Sequence, residues 1–167
     1  MCALSDDYFL INDIIRPSQW GRVNIDHTLL WKEGILVIET KNNIGEVKFF
    51  WDNWAFGFSP VYQAKGNVRY IQNLIEDSGI LLLGSPIIEG LVVFPNAKLS
   101  FKGKPSIHVM NIAEVPSYLS GIKGGNEYSE DSILKIAKMI MESSRKSDYD
   151  EGGFLGILWQ DFRDFFS

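Results

Sequence analysis

Residues 24–41 read NIDHTLLWKEGILVIETK. Two apolar runs rich in β-branched types flank Lys32-Glu33-Gly34, the pattern of two strands joined by a short glycine-containing turn. Three charged groups interrupt this otherwise buried pattern: Asp26 near the start of one strand, and Glu39 and Lys41 at the end of the other. Side chains two apart on a strand share a face, so Glu39 and Lys41 project together while Ile38 and Thr40 face the other way. If the hairpin turns about Glu33-Gly34 with a two- or four-residue loop, Asp26 falls directly opposite Lys41 and diagonal to Glu39. One residue more in the loop, without a bulge, would send Asp26 to the other face.

Two carboxylates drawn to within about 4 Å of a common point repel by roughly 4 kcal/mol at an effective dielectric near 20. A divalent cation answers that repulsion, and oxygen ligands with open positions suit Mg²⁺ or Mn²⁺, which retain waters and contact phosphate. Lys41 beside such an ion would orient or help deprotonate a water and stabilise a crowded oxyanion, which is the chemistry of phosphodiester hydrolysis. A solvated cross-strand salt bridge worth under about 1 kcal/mol stands beside this reading. Glu46-Val47-Lys48 repeats the spacing without an upstream acid on a paired strand, and carries no assigned role.

Outward from the hairpin, residues 8–16, YFLINDIIR, form a strand expected to stop at Pro17. Residues 45–58 suggest a further strand with a turn over residues 51–54. Ser59-Pro60 supplies an N-cap and a first-turn proline, and Ala64, Val68, Ile71, Leu74 and Ile75 recur at helical spacing, predicting a helix over 60–77. IIEGLVVFP closes a buried strand at Pro95, SIHVMNI follows as another after a lysine-rich turn at 102–104, and 114–119 makes a short helix. Ser129 opens a last helix through about 144, with Ile133, Ile136, Ala137 and Ile140 as its stripe. The expected fold is α/β, a central mixed sheet flanked by helices. A core over 6–120 is followed by a helical extension over 121–167, in which Phe154, Leu155, Leu158, Phe162, Phe165 and Phe166 form an apolar, largely aromatic stripe suited to the domain itself, a protein partner or self-association.

The chain has 167 residues, 46% of them hydrophobic, an amount suited to one domain. No run reaches the roughly 18 apolar residues of a membrane span, and residues 1–7 lack the basic start of a secretory signal, so a cytoplasmic location is expected. One cysteine and two histidines exclude a Cys/His zinc cluster. The net charge of −5 opposes general nucleic-acid affinity while leaving room for a local basic track. Lys65 and Arg69, four apart on one helix face, could follow a nucleic-acid backbone, but a solvated face is the reading preferred for them. His27 alternates to the opposite face from Asp26 and is expected to pack or hydrogen-bond. Asp13 reads as a surface residue, and Trp51 and Trp54 as turn or core packing rather than base-stacking groups.

Several motifs in order, Ile25-Asp26-His27, residues 34–42 (GILVIETKN), Gly45, Ser59-Pro60 with Gln63, and Val92-Val93-Phe94-Pro95, closely resemble the nuclease-related domain, NERD. That family sits in the PD-(D/E)xK nuclease superfamily with a restriction-endonuclease-like fold, and the resemblance runs from about Tyr8 to Leu119. It implies that Asp26 and Glu39 are metal-binding acids, Lys41 the catalytic lysine and Gln63 the polar residue on the following helix, acting on DNA with Mg²⁺ or Mn²⁺. Members usually carry an earlier helix with a Gly-Glu pair whose glutamate completes the site. That helix is not evident here, so a catalytically inactive module binding nucleic acid or protein is the alternative expectation.

Overall fold

The hairpin of residues 24–41 forms with its turn on Lys32-Glu33, one residue earlier than expected, because Gly34 already belongs to the second strand. A Cβ on Gly34 would lie 2.4 Å from the carbonyl oxygen of Ile87, so close approach to a neighbouring strand, rather than the turn, requires glycine there. The computed structural model describes residues 8–18, 21–79, 87–122 and 127–148, with side chains as far as Ser144.

Strands β1 (Phe9–Ser18), β2 (Gly21–Trp31), β3 (Gly34–Thr40), β6 (Ile87–Phe94) and β8 (His108–Asn111) make one mixed sheet in the order β1-β2-β3-β6-β8. The first three run antiparallel, and β3, β6 and β8 run parallel. Strands β4 (Gly45–Phe50), β5 (Asn53–Trp54) and β7 (Ala97–Lys102) form a second, small sheet in the order β5-β4-β7. Helices α1 (Pro60–Asp77), α2 (Val115–Gly121) and α3 (Glu130–Asp148) complete the α/β architecture anticipated above.

Three local expectations are corrected. Strand β1 continues through Pro17, which pairs with Arg22; as an edge strand it tolerates a residue without an N–H. The turn after β4 is tighter, on Trp51-Asp52, with Trp51 at φ +57°. Strand β7 is an addition to the expected elements: Ala97, Leu99 and Phe101 alternate with Lys98, Ser100 and Lys102, the pattern of a half-buried strand that runs into the residues expected as a lysine-rich turn.

Helix α1 starts where Ser59 Oγ accepts the Val61 N–H and Pro60 supplies a preset φ. Its residues Ile71 and Ile75 join Val37, Ile35, Ile14 and Ile25 on one side of the mixed sheet, where Ile133, Ile136, Ala137 and Ile140 of α3 also pack. The opposite side packs Leu29, Leu36, Ile38, Leu91 and Val93 against Val115 and Leu119 of α2. A third cluster, with Val47 and Phe49 of β4 against Val61, Ala64, Val92 and Phe94, fastens the small sheet to α1 and β6. The aromatic stripe over 154–166 lies outside the described residues. No helix among the described residues is long and apolar enough to cross a membrane.

Candidate functional site

The earlier turn moves the strand register by two. The pairing ends with His27 opposite Ile38, so in the same register Asp26 stands level with Glu39, one step past the last pair, and does not face Lys41 directly. An even shift preserves the face, and the charged groups stay together. Asp26 Oδ2 accepts the Thr40 N–H at 2.7 Å, so its carboxylate closes the end of the β2–β3 ladder between Glu39 and Lys41.

An irregularity beside Asp26 frees it for that contact. Asn12 pairs with His27 and Ile14 with Ile25, but no pairing joins Asp13 to Asp26 between them. Asp13 takes φ +54°, a left-handed conformation that aspartate tolerates better than most residues. Phe9, Ile11 and Ile14 all join the α1-side cluster, so inward facing changes from odd to even positions at Asp13; Leu30 and Ile25 record the same change on β2. His27 Nδ1 lies 2.8 Å from Asn12 Oδ1, and burial holds its pKa below the ordinary value despite the charges of Asp26 and Asp13.

Glu39 is only 1% exposed. One of its oxygens, Oε1, accepts a hydrogen bond from Lys41 Nζ at 2.5 Å, while Oε2 has no partner among the described residues. Burial is the main force on this carboxyl and pushes its pKa up to about 7; Asp26 adds to the push and Lys41 opposes it. Lys41 Nζ also donates to Gln63 Oε1 at 3.2 Å, and the Lys41 backbone N–H donates to Val93 O at 2.9 Å. The end of β3 is thereby tied both to α1 and to β6. By contrast, the Glu46–Lys48 pair has the same spacing at 3.2 Å, yet both side chains are half exposed. Burial, rather than spacing, separates the two.

One helical turn beyond Gln63, Arg16 Nε of β1 donates to Asn67 Oδ1 at 2.8 Å, and its guanidinium lies 5.8 Å from the Tyr70 ring centre. This clamp on the same side of the sheet was not visible in the sequence, where nothing links Arg16 to residues 51 positions away. Lys65 is half exposed and pairs with Asp52 at 3.5 Å.

The family model for the nuclease-related domain matches residues 1–95, more than half of the chain. The chain belongs to the nuclease-related domain family. Among solved structures, this NERD chain is similar to a protein of unknown function, AF1548, at 14% identity and a TM-score of 0.29, over 81% of this chain and 57% of that one. A search of curated proteins found no match. Within the NERD segment lie Asp26, Glu39, Lys41 and Gln63, all four of the residues singled out from the sequence.

A divalent metal can be tested against these side chains. No group of three or more His, Cys, Asp or Glu residues that could hold a metal ion forms among the described residues. Two acids, one with a buried and unpartnered oxygen, nevertheless fit a hard cation that keeps most of its waters. The oxygen-only donor set suits Mg²⁺ or Mn²⁺ over zinc.

Proposed function

We propose that this NERD chain is a metal-dependent nuclease that hydrolyses DNA phosphodiester bonds, with Asp26 and Glu39 holding Mg²⁺ or Mn²⁺. The observation that carries the reading is Glu39: a buried carboxylate with one oxygen on a lysine and the other without a partner among the described residues. A buried anion with an unused oxygen is costly unless paired, and a cation is the partner that lets it stay ionised near neutral pH.

When bound, the ion would lower the pKa of a coordinated water and polarise the phosphoryl group. The protein's own groups do the rest. The Lys41 ammonium has three donors, two of them engaged by Glu39 and Gln63. Its third is available to a water or a phosphate oxygen, where it orients the nucleophile and offsets the negative charge gathered during attack. Gln63 accepts from Lys41 through Oε1, which turns its amide N–H groups to phosphate or water. Its place early in α1 adds the positive end of the helix dipole. Arg16 offers a further fixed cation to the DNA backbone one turn along.

The test is cleavage of plasmid and single-stranded DNA with Mg²⁺ or Mn²⁺. Loss of cleavage in Glu39→Ala and Lys41→Ala is expected; activity surviving both substitutions removes the assignment. A second reading, a non-catalytic binding module, is favoured by the lack of a three-ligand cluster among the described residues. Calorimetric titration with Mn²⁺ separates the two, since the module binds no ion at this site.

A further inference from the structure

The outward face of the small sheet and the turn at its end carry exposed rings among lysines. Strands β4 and β7 run parallel with Glu46 beside Lys98, Lys48 beside Ser100 and Phe50 beside Lys102. The alternate residues Val47 and Phe49 are buried against α1 and β6, so these three pairs form the opposite, open face. Phe50 is 46% exposed and Trp51, at the strand end, 66%.

Trp51 is held rather than loose. Its backbone N–H donates to Lys102 O at 3.0 Å, and its ring rests on Gly103, where a Cβ would come within 2.6 Å of the indole. One side of the indole is therefore supported by backbone while most of the residue stays open to solvent. A pre-positioned ring loses little entropy when a flat partner stacks on it.

The charges point to the partner. Lys48, Lys98 and Lys102 lie exposed on this face and Lys104 just beyond β7, against two acids, Glu46 on the face and Asp52 in the turn. Both acids are already engaged: Glu46 by Lys48 and Ser100, Asp52 by Ser106 and Lys65. A cationic face on a chain of net charge −5 is a local concentration of positive charge. Exposed aromatic rings interleaved with lysines match unpaired bases joined by phosphates, whereas the bases of a duplex are stacked on one another and closed to such rings.

We infer that this end of the small sheet, with Phe50 on its open face, Trp51 in the turn that follows, and Lys48 and Lys102 beside Phe50, is a stacking platform for single-stranded nucleic acid. The inference rests on the nuclease reading, for which it names the substrate strand. The platform is joined to the candidate site: β4 follows β3 directly after Lys41, and Asp52, in the turn beside Trp51, holds Lys65 of α1 and accepts the Ser59 hydroxyl at its carbonyl.

The experiment is fluorescence anisotropy of the full chain with a labelled oligothymidylate of about 12 nucleotides, within the usual site-size range, in EDTA so that no cleavage intervenes. Phe50→Ala and Trp51→Ala should each weaken binding at least about fivefold, the low end of base–ring stacking, and Trp51→Phe should restore much of it. Lys48→Ala and Lys102→Ala should each lower the slope of log K against log salt by roughly 0.7. All four side chains are exposed, and circular dichroism confirms that each variant folds. The inference is overturned if the wild type ignores the oligonucleotide, leaving the face to a protein partner, if it prefers a duplex of equal length, or if the ring substitutions change nothing. Binding that persists in a protein with no nuclease activity keeps the platform and discards the nuclease reading. Cleavage unaffected by the ring substitutions does the reverse.

Discussion

Lys41 Nζ and Glu39 Oε1 lie 2.5 Å apart at the end of β3, with the carboxylate buried and the lysine a quarter exposed. The pair points its ammonium toward α1, where Gln63 takes a second hydrogen bond. Lys41 is thus open to solvent while Glu39 stays in the protein, the division of roles the proposed hydrolytic site needs.

For catalysis, Lys41→Ala should lower the cleavage rate by about 10²- to 10⁴-fold, the range for loss of a positioned proton-transfer group. Gln63→Ala should cost less, about five- to tenfold, because it removes one hydrogen bond of about 1 kcal/mol while Glu39 still holds Lys41. Initial rates on a labelled oligonucleotide check both values. An equal loss in the two variants would contradict the assigned roles.

For pH, the Glu39 carboxyl is raised from 4.5 to about 7 by burial first, with Asp26 adding to it. Between those values the folded state binds more protons than the unfolded one, so metal-free stability should fall as pH rises from about 4.5 to 7 and then level off. The contribution is on the order of 3 kcal/mol, from about 1.4 kcal/mol per pKa unit. His27, lowered by burial, slopes the opposite way below its ordinary value of 6.5. Glu39→Gln should therefore be more stable than the wild type at pH 8 in EDTA, and urea unfolding across pH measures the difference.

For the ladder end, Asp26→Ala should destabilise by about 1–2 kcal/mol, since the Thr40 N–H loses a charged acceptor. Asp26→Asn keeps an oxygen acceptor and should recover most of that stability while still impairing Mn²⁺ binding. Denaturant midpoints together with calorimetry separate the structural effect from the electrostatic one.

For the register, Gly34→Ala places a methyl 2.4 Å from Ile87 O and should destabilise by about 1–3 kcal/mol. Since β3 and β6 must then separate, the Lys41 N–H to Val93 O bond is expected to weaken as well. Hydrogen exchange at Lys41 faster than in the wild type is the outcome to look for.

Local patterns carried a good deal of this. Helix α1 begins at Pro60 and ends at Asp77 as its cap and periodicity implied, because both signals lie within the segment itself. Shared facing of Glu39 and Lys41 likewise follows from strand geometry alone. The turn position was missed because Gly34 answers to Ile87, a residue 53 positions away, and not to its neighbours. Strand β7, which pairs with β4, was legible by the two-residue strand period, since Ala97, Leu99 and Phe101 alternate with polar residues.

The residue types, the hairpin and the common face of the acids were legible from the chain because they depend on the two-residue period of an extended backbone. Which of two identical Glu-x-Lys spacings became buried was not: Glu39 is enclosed and Glu46 lies open because β3 is a central strand between β2 and β6, whereas Glu46 of β4 faces outward from a small sheet. Strand neighbours and layer order are set by contacts between distant segments, and those contacts turn one ordinary charge pair into a carboxylate with an unused buried oxygen.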